Sequence, residues 1–349
     1  AALGWTGVRG SALRGFPLEE YQSFGSWLVL IALGLWIGRA HFLQVLRAAV
    51  SPERQADRPT PEAPMSYRTA VFGAIAGFVA LCAWARAAGL SVLVAAAFFG
   101  VYLTLVVALA RIRAEAGLGC VSGPLMTQDF LIAIAGSRPI GVRNLTILQH
   151  FRWFSREFRG TPTVMPCQLE ALKIGHEARL RGRDVTVGIL SGIVLTMILG
   201  YVATLNVAYL HGGVSMNRWR FLDVPRTPFR TLESLLENPR DVDWYGLTAT
   251  VIGSAFMGFL TYMRIRFVWW PFHPIGYALA FTKRTVHWIW FPIFLAWAMK
   301  TLIIRYGGYK AYRSLMPFFL GLILGDFFIG GVFGVVGALV PRPGYCVFP

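Results

Sequence analysis

The sequence predicts an all-α fold: a polytopic membrane helical bundle with about seven transmembrane helices, re-entrant or broken segments and amphipathic surface helices. Two observations carry this. The 349 residues are 56% hydrophobic and only 14% charged, whereas soluble domains sit nearer 25% charged. The low charge also persists along most of the length, in runs near the roughly 20 apolar residues a spanning helix needs.

The runs follow in order: Tyr21–Ile37, Ala70–Ala88, Leu90–Ala110, Val185–Leu210, Trp244–Met263, Thr285–Ile304 and Pro317–Val340. Pro124–Ala135 and Pro271–Phe281 are apolar but too short to span, a length that fits re-entrant or interfacial pieces. Three regions are expected: a membrane bundle over 1–210, with amphipathic cytoplasmic helices at 144–183, an extramembrane loop over 211–243, and a C-terminal membrane region over 244–349.

The loops set an orientation. The first, Arg39 to Arg68, is rich in arginine and holds Pro59, Pro61 and Pro64, which favour irregular backbone. The second holds only Arg86, the third (Arg111 to Asp184) is long and basic, and the fourth balances its charges. The positive-inside rule places the first and third in the cytoplasm. Arg264, Arg266, Lys283 and Arg284 follow the rule, and Arg305, Lys310 and Arg313 break it.

Within the third loop, Leu145, Leu148, Phe151, Phe154 and Phe158 recur at helical spacing after Asn144, a candidate N-cap. Arg152, Arg156 and Arg159 form a separate stripe, so this helix is expected on a headgroup surface. A second helix follows Pro166, with Glu170, Lys173, Glu177 and Arg181 in a ladder of i,i+3 and i,i+4 pairs. Trp27, Trp84, Trp244, Trp269, Trp270 and Trp288 lie near predicted span ends, as an interfacial belt would.

The net charge is +16, from 33 Lys+Arg against 17 Asp+Glu. It is spread through the loops, which points to anionic lipid headgroups and away from nucleic acid. The four cysteines make no CxxC pair and the six histidines no HExxH, so neither metal nor cofactor is expected. No Walker A, GxSxG or kinase pattern occurs, and the expectation is a protein that is not an enzyme. The chain opens at Ala1 without a signal-peptide pattern. A processed chain or part of a longer protein is therefore expected, with a lipid bilayer, and other membrane subunits or a missing N-terminal half, as the partners.

Three places carry candidate chemistry. Asp326 is the one charge in the last run. A carboxylate at that depth costs about 2.5–3.5 kcal/mol on insertion scales, so it marks a proton or ion site, or a structural acid bonded to a neighbour. Lys300 and Arg305 are candidate counter-ions for it, and both can also snorkel. Arg111 and Glu115 are i,i+4 at the end of the third span, just before Gly117, Gly119 and Gly123, and read as a gate or as a cytoplasmic helix end. His273, between Pro271 and Pro274, is a titratable group or a local hydrogen bonder.

Several stretches resemble a known group. Arg111–Pro124 (RIRAEAGLGCVSGP), Ala171–Arg183 (ALKIGHEARLRGR) and Pro317–Asp326 (PFFLGLILGD) resemble the oligopeptide transporter superfamily. Arg266–Phe281 and Ala296–Arg313 resemble more closely a set of uncharacterised bacterial polytopic membrane proteins. Ala171 stands where the transporters commonly carry an Asp before Leu-Lys, and no Asn-Pro-Phe motif occurs. The resemblance implies a proton-coupled secondary carrier in the bacterial cytoplasmic (inner) membrane. Asp326 would be its proton or ion site, Arg111 and Glu115 its gate, and Lys173 with His176 the control of its cytoplasmic mouth. The alternative is a non-catalytic membrane subunit that scaffolds a larger complex.

Overall fold

The computed structural model describes residues 18–50, 64–118, 121, 123–155, 164–213, 219–280, 282 and 290–339. Among them every regular element is helical. The chain divides into two compact units, Ala1–His287 and Trp288–Pro349.

The first unit begins with α1 (Glu19–Ile37), whose opening carboxylates, Glu19 and Glu20, meet the positive end of the helix dipole. At Gly38 the chain turns by 66° into α2 (Arg39–Val50). Part of the expected first loop is thus helical, and Pro59 and Pro61 lie outside the described residues. The Ser66 side chain caps α3 (Tyr67–Ala87), accepting from Thr69 N at 3.2 Å. After a turn at Gly89, α4 (Val92–Ala116) runs to Gly117, which takes the left-handed conformation that ends many helices. Four short helices follow: α5 (Thr127–Ala135), α6 (Ser137–Ile140), α7 (Val142–His150) and α8 (Arg152–Ser155). Then come α9 (Val164–Glu177) and α10 (Gly182–His211). A π-helical turn, Trp219–Asp223, leads into α11 (Val224–Glu237), and α12 (Trp244–Arg266) and α13 (Pro274–Ala280) complete the unit.

α1 and α12 pack along their length. Glycine makes this possible: Gly25 lies against the Thr250 carbonyl, and Gly253 against the Gln22 backbone. A Cβ on Gly246 would come within 2.7 Å of the Tyr21 ring. Small residues let helix backbones approach where no side chain fits. Polar groups tie the seam: Tyr21 donates to Asp243 Oδ2 at 3.1 Å, and Ser254 Oγ donates to Gly25 O at 3.1 Å. Asp243 also caps α12 by accepting from Gly246 N.

The short α13 lies within this packing. Ser23 Oγ and Trp27 Nε1 both donate to Ala278 O, at 2.8 and 3.2 Å. Trp27 is fully buried, so it is a core anchor and not part of an interfacial belt. Trp84 is half exposed and stacks on Phe151, with ring centroids 5.1 Å apart. Trp244 and Trp269 are exposed, and Trp288 lies outside the described residues.

The expected headgroup helix is corrected. Its apolar stripe is buried in protein: Leu148 is fully buried, and Leu145 and Phe151 nearly so. These side chains share a core with Leu90, Phe98, Phe99 and Leu235. A helical stripe shows only that a face is buried, not whether lipid or protein buries it. Asn144 is not the N-cap. It lies inside α7, accepts from Ser91 N at 2.9 Å and donates to Ile140 O at 2.8 Å, so it pins the α3–α4 turn. Phe158, Arg156 and Arg159 lie outside the described residues.

Among the described residues, five helices are long and apolar enough to cross a membrane: Tyr67–Ala87, Val92–Ala116, Gly182–Leu210, Trp244–Arg266 and Trp290–Val336. The bent pair α1–α2 raises the number to six if it counts as one span. In the second unit, α14 (Trp290–Leu302), a π-helical turn (Ile303–Gly307) and α15 (Gly308–Leu339) run on without a loop. The two runs expected as separate closing spans are therefore one helical stretch. No residue in the most apolar window of α10, or of 290–336, is buried.

Candidate functional site

Arg111 and Glu115 form the expected pair, with Nε donating to Oε1 at 2.7 Å. The guanidinium packs on Gly34 of α1, where any side chain would displace it. Two residues on, Arg113 makes a contact that spacing along one helix does not reveal. Its Nη2 donates to Glu170 Oε2 at 2.9 Å, its Nε lies 2.6 Å from Oε1, and its Nη1 lies 3.8 Å from Cys167 Sγ. This ion pair, with one hydrogen bond from Nη2, fastens the end of α4 to α9. It also takes Glu170 out of the expected ladder, which survives as Lys173–Glu177 at 2.6 Å.

Lys173 and His176 are exposed on α9. The hydrogen bond from Lys173, and then its charge, hold the Glu177 carboxyl below the usual carboxylate value. Because the folded value lies below the unfolded one, the pair supports α9 at higher pH. That support is lost as pH falls through the folded value. Lys173→Met should return Glu177 to the ordinary carboxylate range, read by NMR titration of the Glu177 carboxyl carbon. A carboxyl titration unchanged by the substitution would contradict the pairing.

His273 is exposed, and its Nδ1 accepts from Ile275 N at 3.2 Å, closing the first turn of α13. Lys300 does not reach Asp326. Its Nζ lies 5.5 Å from the centre of the Tyr312 ring. Along the helical stretch the two residues are about 39 Å apart at 1.5 Å per residue. Asp326 is exposed on α15, and among the described residues it makes no ion pair. Open space surrounds Gly321, Gly325 and Gly334 on the same helix.

Other polar side chains are buried inside the first unit. Thr127 and Gln128, in the first turn of α5, are fully buried. Among the described residues, neither Thr127 Oγ1 nor Gln128 Oε1 has a hydrogen-bond partner. Gln149 of α7 and Ser155 of α8 are as deeply buried, and Gln149 Nε2 and Ser155 Oγ also lack partners. Arg152 joins the two sides. Its Nη1 donates to Gln149 Oε1 at 3.3 Å, and its Nη1 and Nη2 reach Asp129 at 3.5 and 3.4 Å. Each unmet buried polar group costs on the order of 1–3 kcal/mol. The sequence carried a signal for this: Thr127-Gln128-Asp129 is a polar triplet inside the short apolar piece Pro124–Ala135. Among the described residues, no three His, Cys, Asp or Glu side chains are placed to hold a metal ion.

The fold and this layer define an all-helical protein with membrane-length apolar helices and short helices buried among them. The chain belongs to a family of unknown function, DUF6785, whose model matches residues 1–349. No curated protein and no solved structure matches it.

Proposed function

We infer that the chain is a multi-pass membrane protein of the bacterial cytoplasmic membrane, working as a proton-coupled secondary carrier of the oligopeptide-transporter type. One observation carries this reading. Two helices too short to span, α5 and α13, are buried among helices that are long enough. Short helices at membrane depth are tolerated where protein covers them or where they line a cavity, and carriers place binding sites at such breaks.

Seven spans fit the same reading. A straight helix over 290–336 would be about 70 Å long, more than twice the roughly 30 Å hydrocarbon core. Lys300, Arg305, Lys310 and Arg313 interrupt it, and Gly308 has a left-handed φ of 67°. Folding there gives two spans, which join the other four helices and the bent α1–α2 pair. In this reading Arg111 and Glu115 gate the path, and Asp326 is the candidate coupling acid.

The test is uptake of a labelled dipeptide into proteoliposomes under an imposed proton gradient. Gradient-driven uptake, reduced by Glu115→Gln, is expected, and absence of uptake would count against the carrier. Uptake unchanged in Asp326→Asn would remove Asp326 as the coupling site. The second reading, a scaffold subunit, draws on α10 and the 290–336 stretch, whose most apolar windows bury no residue. Chemical crosslinking in native membranes should then trap α10 against another chain.

A further inference from the structure

The 211–243 loop holds part of the chain that lies between α4 and α9. Ser137 N and Ser137 Oγ both donate to Arg240 O, at 2.7 and 3.3 Å, and Ser137 Oγ accepts from Arg240 N at 2.8 Å. Asp243 N donates to Ala133 O at 2.8 Å. Alternating the loops by their charge puts these two segments on opposite faces of the membrane. Segments separated by a hydrocarbon core of roughly 30 Å share no hydrogen bond, so one of them must cross it.

α4 shows which one. From its cap, Ser91, to Arg113 it runs about 33 Å at 1.5 Å per residue, close to the thickness of that core. The intervening chain touches both ends. At the N-terminal end Ser91 N donates to Asn144 Oδ1 at 2.9 Å, and the Arg143 guanidinium lies 3.3 Å from where a Cβ on Gly89 would stand. At the C-terminal end Arg113 Nη2 donates to Glu170 Oε2 at 2.9 Å. The packing follows the same order. Val121, Leu125 and Phe130 share a core with Leu105, Leu109 and Ile112. Ile132, Leu145 and Phe151 share another with Ala95, Phe98 and Phe99. From Gly117 the chain thus runs the length of α4 to Asn144 and comes back to Glu170.

Among the described residues, no single helix makes either passage. α5 has nine residues, about 14 Å of helix, and α7 also has nine. Broken backbone at membrane depth needs protein around it. It has that here, since Val121, Leu125 and Phe130 are buried on the way out, and Leu148 and Phe151 on the way back. Counting the whole stretch as one basic loop hides the passage. Arg111 and Arg113 stay at the C-terminal end of α4, with Lys173 one turn beyond Glu170, while Arg138 and Arg143 are exposed at the far tip.

We propose that the chain between α4 and α9 is a re-entrant hairpin that crosses the membrane and returns. Its α6–α7 tip, with Arg138 and Arg143, meets the compartment opposite the cytoplasm, beside the 211–243 loop. α7 is then not a cytoplasmic helix, whereas α9 is. In the carrier reading the tip arginines belong to the external face, and Lys173 and His176 to the cytoplasmic one. The hairpin rests on the multi-pass reading, because α4 must span, and not on transport.

The experiment uses the full chain in membranes of a bacterial host, as spheroplasts and as inverted vesicles. Both are treated with a membrane-impermeant amine reagent, sulfosuccinimidyl acetate, and peptide mass spectrometry locates the acetylated lysines. Lys173 is the native reference for one face. Arg86→Lys, at the end of α3, supplies the reference for the other. Arg138→Lys and Arg143→Lys are tested separately, and all three substitutions keep the charge of exposed side chains. The expected result is acetylation of positions 86, 138 and 143 in spheroplasts and its loss in inverted vesicles, with Lys173 showing the reverse.

If positions 138 and 143 follow Lys173 while position 86 does not, the hairpin is overturned and the spanning α4 stands. If position 86 and Lys173 react from the same face, α4 does not span and both ideas fall. Positions 138 and 143 that react only after detergent solubilisation also overturn the hairpin, since its tip would then not reach the external solution.

Discussion

Gly253→Leu should cost several kcal/mol and leave little folded protein in detergent. The Gly253 Cα faces the Gln22 backbone of α1, and a Cβ built there falls inside contact distance of backbone atoms that cannot turn aside. Overpacking a close seam costs about 1–3 kcal/mol when side chains can adjust, and more when they cannot. The seam also holds Tyr21–Asp243 and Ser254–Gly25, so separating the helices would leave buried polar groups unmet. Thermal unfolding in nanodiscs measures the effect. Gly258→Leu, on the same helix but with nothing near its Cβ, is the control and should change stability little. Equal melting temperatures for the two variants would show that the α1–α12 approach is looser than described.

Phe151→Ala is expected to destabilise the first unit by about 3–5 kcal/mol, the usual cost of emptying an aromatic site in a core. Phe151 is 5% exposed and stacks on Trp84, and its ring lies 5.6 and 6.0 Å from those of Phe98 and Phe99. If the stripe rested on headgroups, the same substitution would weaken membrane attachment and spare the melting temperature. Unfolding in nanodiscs, followed by tryptophan fluorescence, separates the outcomes. Trp153→Ala serves for comparison, since Trp153 is 60% exposed on the adjoining α8.

The fold class could be read from composition and run length because both follow from the need to bury or solvate apolar side chains. All five membrane-length helices overlap runs visible in the sequence, and both short apolar pieces are short helices. The Arg111–Glu115 pair was readable because i,i+4 neighbours meet on any helix. Arg113–Glu170 was not, since it depends on how α9 docks against α4. Arg152 shows the limit most clearly. Its spacing with Arg156 and Arg159 suggested a basic surface, yet it turns toward Asp129 and Gln149. A sequence gives a side chain's position on its helix, but its partner depends on the tertiary approach. For the same reason Thr127-Gln128-Asp129 could be seen as a polar triplet, but not that Asp129 would meet Arg152. The join between the last two runs was missed because charged residues can end a span or continue a helix into water.

The isolation of α10 has a mechanical consequence. Its apolar part, 185–210, is about 39 Å long at 1.5 Å per residue, some 9 Å more than a typical hydrocarbon core. The structure packs it against α9, while none of its most apolar window is buried. In a bilayer the excess must go into lean or into protruding ends. With so little protein to fix that lean, lipid thickness would set it. α10 would then act as a lever that carries membrane thickness to α9, and through the Arg113–Glu170 clamp to the end of α4.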